Sequence, residues 1–471
     1  MQDRAQVELD FLRRRPFRSL LAWSGFPVLF QAVALGAVVW LAVIGFGLGT
    51  QAKADELMTL RKTNLTTLVV WGLWWPGMIA LALAFGRAWC TVCPIELANR
   101  IADALARKVG WPRARLGRLL RAGWMTVVLY LVLQILVAGV SIHRVPHFTS
   151  LLLLALIAVA VLAGLVFRER RSFCKTLCPA SALLSVYGRY TPVQLEARHP
   201  IVCRDCATKD CVRAENRDRL DKRSCPSALV PYRRGPSDGC VLCFQCAKVC
   251  PSGNMGFGFV TGSSPVRRKS TLLPFEAAFV MVALGFVAHE VIGEVKWLDA
   301  FFHFVPSHLQ RLAPAVAFGW FEALWFLVLF PILVWGVIAG VAYLAGHRTG
   351  LRALLLAAAT GAAPVVAVAH LAKAAAKIAS WGSFLPLAIR DPHGVETLHR
   401  ITDMSLAAPA PLASLPLVAW AMLAAMLLVG WKGWRWAHRM SEHSPTAARA
   451  GLAVAGVLFL AVLTIWALPA S

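Results

Sequence analysis

Nine apolar stretches divide this chain, each of roughly twenty residues, the length that crosses a bilayer as a helix. In hydrocarbon every backbone N–H and C=O must be paired within its own segment, so single stretches of this kind fold as helices and little else. They run over about Phe26–Leu48, Leu65–Phe85, Trp124–Val140, Leu151–Phe167, Leu272–Ile292, Phe318–Leu344, Ala353–Ile378, Leu412–Val429 and Gly451–Leu468. Only 15% of the 471 residues are charged, against about 25% in soluble domains. The chain therefore reads as a polytopic α-helical membrane protein. Ala52-Lys53-Ala54 has the small-residue spacing of a signal-peptidase site. The apolar run before it is longer than a signal-peptide core, so the first helix is expected to be retained.

A net charge of +24 in a soluble protein would suggest a nucleic-acid partner. Here the Lys and Arg crowd into alternate connections, as the positive-inside rule requires, and no nucleic acid is implied. The N-terminus (Arg13, Arg14, Arg15, Arg18), residues 87–121, 168–270, His347–Arg352 and 431–449 are basic; 49–63, 141–150, 294–315 and 381–410 are not. The expected topology in a bacterial inner membrane has the N-terminus and 168–270 cytoplasmic and the C-terminus periplasmic.

Residues 168–270 form the long polar segment and hold ten of the twelve cysteines. Cys240, Cys243, Cys246 and Cys250-Pro251 have the C-x2-C-x2-C-x3-C-P spacing of an iron–sulfur cube. In two-cluster ferredoxins the fourth cysteine of such a run reaches the other cluster. A second set, Cys203, Cys206, Cys211 and Cys225-Pro226, completes the pattern. Crossed ligation would group Cys203, Cys206, Cys211 with Cys250, and Cys240, Cys243, Cys246 with Cys225, for two [4Fe–4S] clusters. The expected fold is thus a helical membrane protein of about nine spans with an inserted α+β dicluster ferredoxin-like domain. Its parts are residues 1–167, two hairpins each ending in a Cys-Cys-Pro motif; 168–270, the cluster domain; and 271–471, five helices.

The hairpins are an internal repeat. Gly86-Arg87-Ala88-Trp89-Cys90-Thr91-Val92-Cys93-Pro94 follows the second apolar stretch, and Arg170-Arg171-Ser172-Phe173-Cys174-Lys175-Thr176-Leu177-Cys178-Pro179 follows the fourth. Proline after the second thiol suits the first turn of a helix. A thiol at a helix N-terminus beside arginine is expected to have a depressed pKa. If the repeats pack together, Cys90, Cys93, Cys174 and Cys178 form one redox or metal site: a third cluster, a copper site or a dithiol pair. Separate structural cysteines are the alternative.

Ionisable groups inside apolar stretches are costly and mark function. His289 stands beside Glu290, with Glu294 beyond; His370, Lys373 and Lys377 share a helix face. Glu294 and Lys377 are expected to pair. His289, Glu290, His370 and Lys373 are candidates for a quinone pocket, haem b or a proton path, or are polar interfacial ends. Six further histidines, His143, His147, His303, His308, His393 and His399, fall in the weakly charged connections, as an outer metal or haem site or as scattered surface residues.

Residues from about 60 to 260 resemble the NapH/NosR/CcoG-type membrane polyferredoxins, through Gly86-Arg87-Ala88-Trp89-Cys90, Cys93-Pro94, Phe173-Cys174, Cys178-Pro179 and the eight cluster cysteines. The resemblance implies quinol-linked electron transfer through cytoplasmic clusters to a periplasmic or membrane redox partner. The chain would then be a component of a quinol-linked oxidoreductase. Two other functions are open: a maturation factor that reduces copper for a respiratory enzyme, or a transporter whose clusters regulate or energise it.

Overall fold

A computed structural model describes residues 7–219, 222–233, 239–260, 271–440 and 444–468. Residues 261–270, the end of the expected cluster domain, lie outside the described residues. The chain is a polytopic helical membrane protein. Eight of its described helices are long and apolar enough to cross a membrane. A shorter apolar helix of 16 residues, Trp124–Gly139, falls where the remaining span is expected.

Two compact units are formed, Met1–Val39, Leu81–Thr126 and Ala155–Ser270 in the first, and Trp40–Ala80, Val127–Leu154 and Thr271–Ser471 in the second. Several of their boundaries fall inside helices rather than in loops.

In the first unit, strand β1 (Val7–Asp10) begins a three-stranded sheet that β2 (Val193–Ala197) and β3 (Met255–Val260) complete. The order is β1-β3-β2, antiparallel throughout, with Val193 opposite Phe259 and Ala197 opposite Met255. The N-terminal basic segment is therefore part of the cluster domain, which charge counting alone does not show. Asp10 secures it. One carboxylate oxygen accepts from the backbone N–H of Leu12 at 3.0 Å and of Phe257 at 3.1 Å; the other meets Arg198 at 2.7 Å. Behind the sheet Leu12, Leu21, Val193, Leu195, Leu242, Phe244, Met255 and Phe257 form a core. Phe17 stacks on Phe257 with ring centroids 5.7 Å apart.

Helices α1 (Val28–Gly45), α2 (Leu65–Phe85), α3 (Pro94–Lys108), α4 (Trp124–Gly139) and α5 (Pro146–Val166) follow. Helix α3 starts on Pro94, carries Glu96 in its first turn and Arg107 and Lys108 in its last, so its charges complement the backbone dipole. It buries Leu97, Ala98, Ala102 and Ala106 and exposes Ile101 and Leu105, the amphipathic pattern of a helix lying on a lipid surface. Asp103, buried on α3, pairs with Arg107, with Arg113 at 2.7 Å and with Arg217 at 2.6 Å. It thus ties the helix to the cluster domain of the same unit.

In the second unit come α6 (Pro274–Ile292), α7 (Lys296–Phe302), α8 (Phe304–Leu312), α9 (Phe318–Leu344), α10 (Leu351–Trp381), α11 (Leu415–Met440) and α12 (Pro445–Ala467). Helix α10 is longer than its apolar stretch suggests and runs through Pro364, which lies buried within it. Its crossing with α12 is backbone on backbone. A Cβ on Gly361 would stand 1.9 Å from the Ala448 carbonyl oxygen, and one on Gly451 2.1 Å from that of Ala358. Small residues give this close approach where apolar burial alone offers no drive, because lipid tails are as apolar as the helices.

Two stretches depart from regular helix. Leu68–Trp74 in α2 and Trp325–Leu329 in α9 are π-helical. Such widened turns weaken the hydrogen-bond ladder and recur at functional sites. Each carries an aromatic residue of a site described below.

Candidate functional site

The cluster-binding run curls because Leu242 and Phe244 adopt positive φ, 53° and 56°. Bulky residues are rare in this left-handed region. Alternating it with right-handed residues turns successive backbone N–H groups to one side, a concavity suited to an anion. Cys240, Cys246 and Cys250 pack against the domain core, and Cys243 is buried. Burial, followed by the neighbouring Cys225 and Cys240, pushes the Cys243 thiol up to about 12. Burial and then Cys203, Cys250, Cys225 and Cys206 push Cys211 up to about 12. Cys203, Cys206, Cys211 and Cys250 also line one cavity, with Lys209, Tyr232 and Cys246. Cys250 thus lies with Cys203, Cys206 and Cys211, and Cys225 lies beside Cys243 and Cys240.

The repeat thiols gather within the same unit. Cys93 lies within electrostatic reach of Cys174, Cys90 and Cys178, and its thiol is pushed well above the usual range, first by burial and then by those neighbours. Burial raises Cys174 to about 11 and Cys178 to about 12. This reverses the expectation of depressed values: desolvation outweighs the nearby Arg171, which hydrogen-bonds Cys174. A metal that binds here must therefore displace protons.

The surrounding residues lock the repeats together. Arg87 donates to the Ser181 carbonyl oxygen at 2.6 Å and to its hydroxyl at 2.8 Å. Asn99 donates to the Ala160 carbonyl at 2.8 Å, and Gln31 to Glu96 at 2.7 Å. The repeats are joined to the cluster run as well. The Thr91 hydroxyl donates to the Val241 carbonyl, Arg170 to the Cys225 carbonyl at 3.1 Å, and Arg171 to the Ser227 hydroxyl at 2.7 Å.

Among the described residues, the set of three metal-ligand side chains gathered within 4.8 Å of one another is His289, His303 and Glu322, with no cysteine in it. Ligands of one zinc with bonds of about 2.3 Å stand about 3.8 Å apart. The wider spread of the thiols suits a cube, whose cysteines each hold a different iron.

In the second unit, a cavity is lined by Glu290, His370, Lys373 and Lys377, with Trp71, Trp75, Gln134, His143 and Phe286. Trp71 sits on the π-helical stretch of α2. His370 is buried and meets Phe286 edge-on at 5.8 Å. His143 is held well below the usual imidazole range by burial and then by Arg144, Lys377 and Arg61, so it is neutral. Lys373 bonds Glu294 at 2.7 Å and lies 3.4 Å from the Glu290 carboxylate. The expected partner of Glu294 was Lys377, which instead lies over the Trp381 ring, 5.2 Å from its centroid.

His289 does not line this cavity. One residue from Glu290 on α6, it turns by about 100° of helix toward Glu322 and His303. His289 and His370 therefore face different surroundings, and the structure does not bring them together as one axial pair. Sequence reading passed over Trp71, Trp75 and Gln134 as apolar-helix residues. It also passed over Glu322, although a lone carboxylate within an apolar stretch is itself a signal.

A family described as a 4Fe-4S binding domain matches residues 67–112 and 150–191. Those segments contain Cys90, Cys93, Cys174 and Cys178. Protein NirI of Paracoccus denitrificans is 26% identical over 253 residues, 47% of this chain and 35% of its own length. The methylamine utilization ferredoxin-type protein MauN of the same organism is 26% identical over 174 residues, 35% of this chain and 57% of its own. An uncharacterized Methanocaldococcus jannaschii protein is 29% identical over 137 residues, 29% of this chain and 47% of its own. The chain thus spans between about a third and somewhat over half the length of these relatives. No solved structure matches it. The fold, the thiol sets and these likenesses support a membrane protein with a 4Fe-4S ferredoxin-type domain.

Proposed function

We propose that the protein passes electrons between the quinone pool, or a cytoplasmic donor, and a periplasmic-side acceptor. In this reading Cys203, Cys206, Cys211 and Cys250 hold one [4Fe–4S] cluster and Cys240, Cys243, Cys246 and Cys225 a second. Cys90, Cys93, Cys174 and Cys178 hold a third. The observation that carries the reading is the gathering of four thiols from two membrane hairpins, Cys174 buried and the others half-buried, hydrogen-bonded through Thr91 and Arg171 to the cluster-binding run. The clusters supply one-electron chemistry; the protein supplies their ligands and the arginines that offset thiolate charge, Arg171 foremost. Glu290, His370 and Lys373, walled by Trp71 and Trp75, suit a quinone headgroup. They offer apolar faces to the ring and hydrogen-bonding groups to its oxygens. The alternating loop charges support a cytoplasmic N-terminus and cluster domain and a periplasmic C-terminus.

The test is quinol titration of anaerobically purified protein, followed by EPR with iron and sulfide analysis. Three cubes correspond to about twelve iron and twelve sulfide per chain, and quinol should reduce part of them. Clusters that neither take electrons from quinol nor give them to quinone would reject the quinone-linked function.

A second reading, a maturation factor that reduces copper, is favoured by the same four thiols, since soft ligands select Cu(I). About eight iron together with one copper, lost in Cys93→Ser, would establish it over the third cluster.

A further inference from the structure

The second unit holds another set of ligand-type side chains, which the electron-transfer reading leaves unused. His289 near the end of α6, His303 directly after α7 and Glu322 early in α9 each place one ligand atom within 4.8 Å of the others. His303 Nε2 lies 3.0 Å and His289 Nε2 3.8 Å from Glu322 Oε1. Two ligands of a tetrahedral ion with bonds of about 2.1 Å stand about 3.4 Å apart, between the two observed values.

The imidazoles are held in orientation. His303 Nδ1 is 3.1 Å from Asp299 Oδ1 and 3.0 Å from the Asp299 carbonyl oxygen. That nitrogen therefore keeps its proton, and Nε2 points at Glu322. A carboxylate behind a histidine in this way is the usual support of a metal-binding imidazole. His289 lies flat on Phe326, centroids 4.5 Å apart and planes 8° from parallel, and Phe326 belongs to the π-helical stretch of α9. Phe302 and Phe318 flank the two rings. His289 Nδ1 is buried without a hydrogen-bond partner, so Nε2 and its surroundings define what this ring does.

We propose that His289, His303 and Glu322 bind a divalent transition-metal ion of the Zn2+ class, with Asp299 positioning His303. Two imidazoles and one carboxylate are the ligand set such ions take, with a fourth place open. Charge supports it: a 2+ ion balances the Glu322 and Asp299 carboxylates. Binding replaces any proton on His303 Nε2, which leaves to solvent.

Co2+ titration of the purified full-length protein, clusters intact and oxygen excluded, tests this. One Co2+ per chain should bind with ligand-field bands and no thiolate-to-cobalt charge transfer, and Zn2+ should displace it. His303→Ala and Glu322→Gln should abolish these bands with iron and sulfide content unchanged. Asp299→Asn should weaken binding by about 10- to 100-fold. Absence of the bands, or equal binding by His303→Ala, would overturn the site. Should the ligand variants fail to fold, unchanged affinity in Asp299→Asn would overturn it.

Discussion

Lys373 on α10 bridges two acids at the end of α6, Glu290 in its last turn and Glu294 just beyond it: its ammonium lies 2.7 Å from Glu294 and 3.4 Å from Glu290, and it donates to the Glu290 carbonyl oxygen at 2.8 Å. The bridge fixes α10 against α6 beside the cavity of the second unit. Removing one member of a fully buried ion pair costs about 3–5 kcal/mol; this bridge is only half-buried, with Glu294 31% exposed, so solvent screens part of the loss. Lys373→Met is therefore expected to lower thermal stability in detergent by less than a fully buried pair would. Glu290→Gln combined with it should recover part of the loss. Equal melting of Lys373→Met and wild type would show that the bridge contributes nothing.

Asp103 is the corresponding anchor in the first unit, where one carboxylate meets Arg107, Arg113 and Arg217. Its side chain is only 9% exposed, so solvent does little to replace it. Asp103→Asn keeps the shape and removes the charge, and about 3 kcal/mol should be lost. Because Arg217 belongs to the cluster domain, limited proteolysis should cut that domain faster in the variant. An unchanged digestion pattern would mean that the domain is held by other contacts.

The membrane fold was legible because hydrocarbon permits few structures, and an apolar stretch such as Leu65–Phe85 matches its helix to the residue. The thiol sets were legible because cluster ligands come at short fixed spacings. Other features were hidden in tertiary structure. Val7–Asp10 is too short and too charged to announce a strand, and it becomes one through pairing with β3, far along the chain. His289 and Glu290 look like one polar site in sequence. A helix turns adjacent residues apart by about 100°, which sends one to Glu322 and the other to Lys373.

Arg171 should tune the site formed by the repeats. Its guanidinium is buried and bonded to Cys174 and Ser227; burial weakens its hold on the proton, but Cys174, Cys90 and Glu96 outweigh this and raise its pKa. A positive charge beside an anionic cluster favours the reduced state. Arg171→Gln should lower the reduction potential of one cluster species in an EPR-monitored titration and leave the others in place. Arg171→Lys should fall between. If no species shifts, the repeat thiols do not hold a redox centre.

His370 offers the sharpest test of the cavity in the second unit. It is 2% exposed, set edge-on to Phe286, and shares the cavity with Glu290, Lys373 and the Trp71 and Trp75 rings. None of these residues is a cluster ligand, so His370→Ala should leave iron content and reduction by dithionite unchanged. Loss of a positioned proton-transfer group typically slows a reaction by about 100-fold or more. Quinol-driven reduction of the clusters should slow on that scale, and His370→Gln, which keeps a hydrogen-bonding group but cannot carry the proton, should slow it nearly as much. Quinol-driven reduction at the wild-type rate in both variants would assign the cavity to packing and move the search for the quinone to another face of the protein.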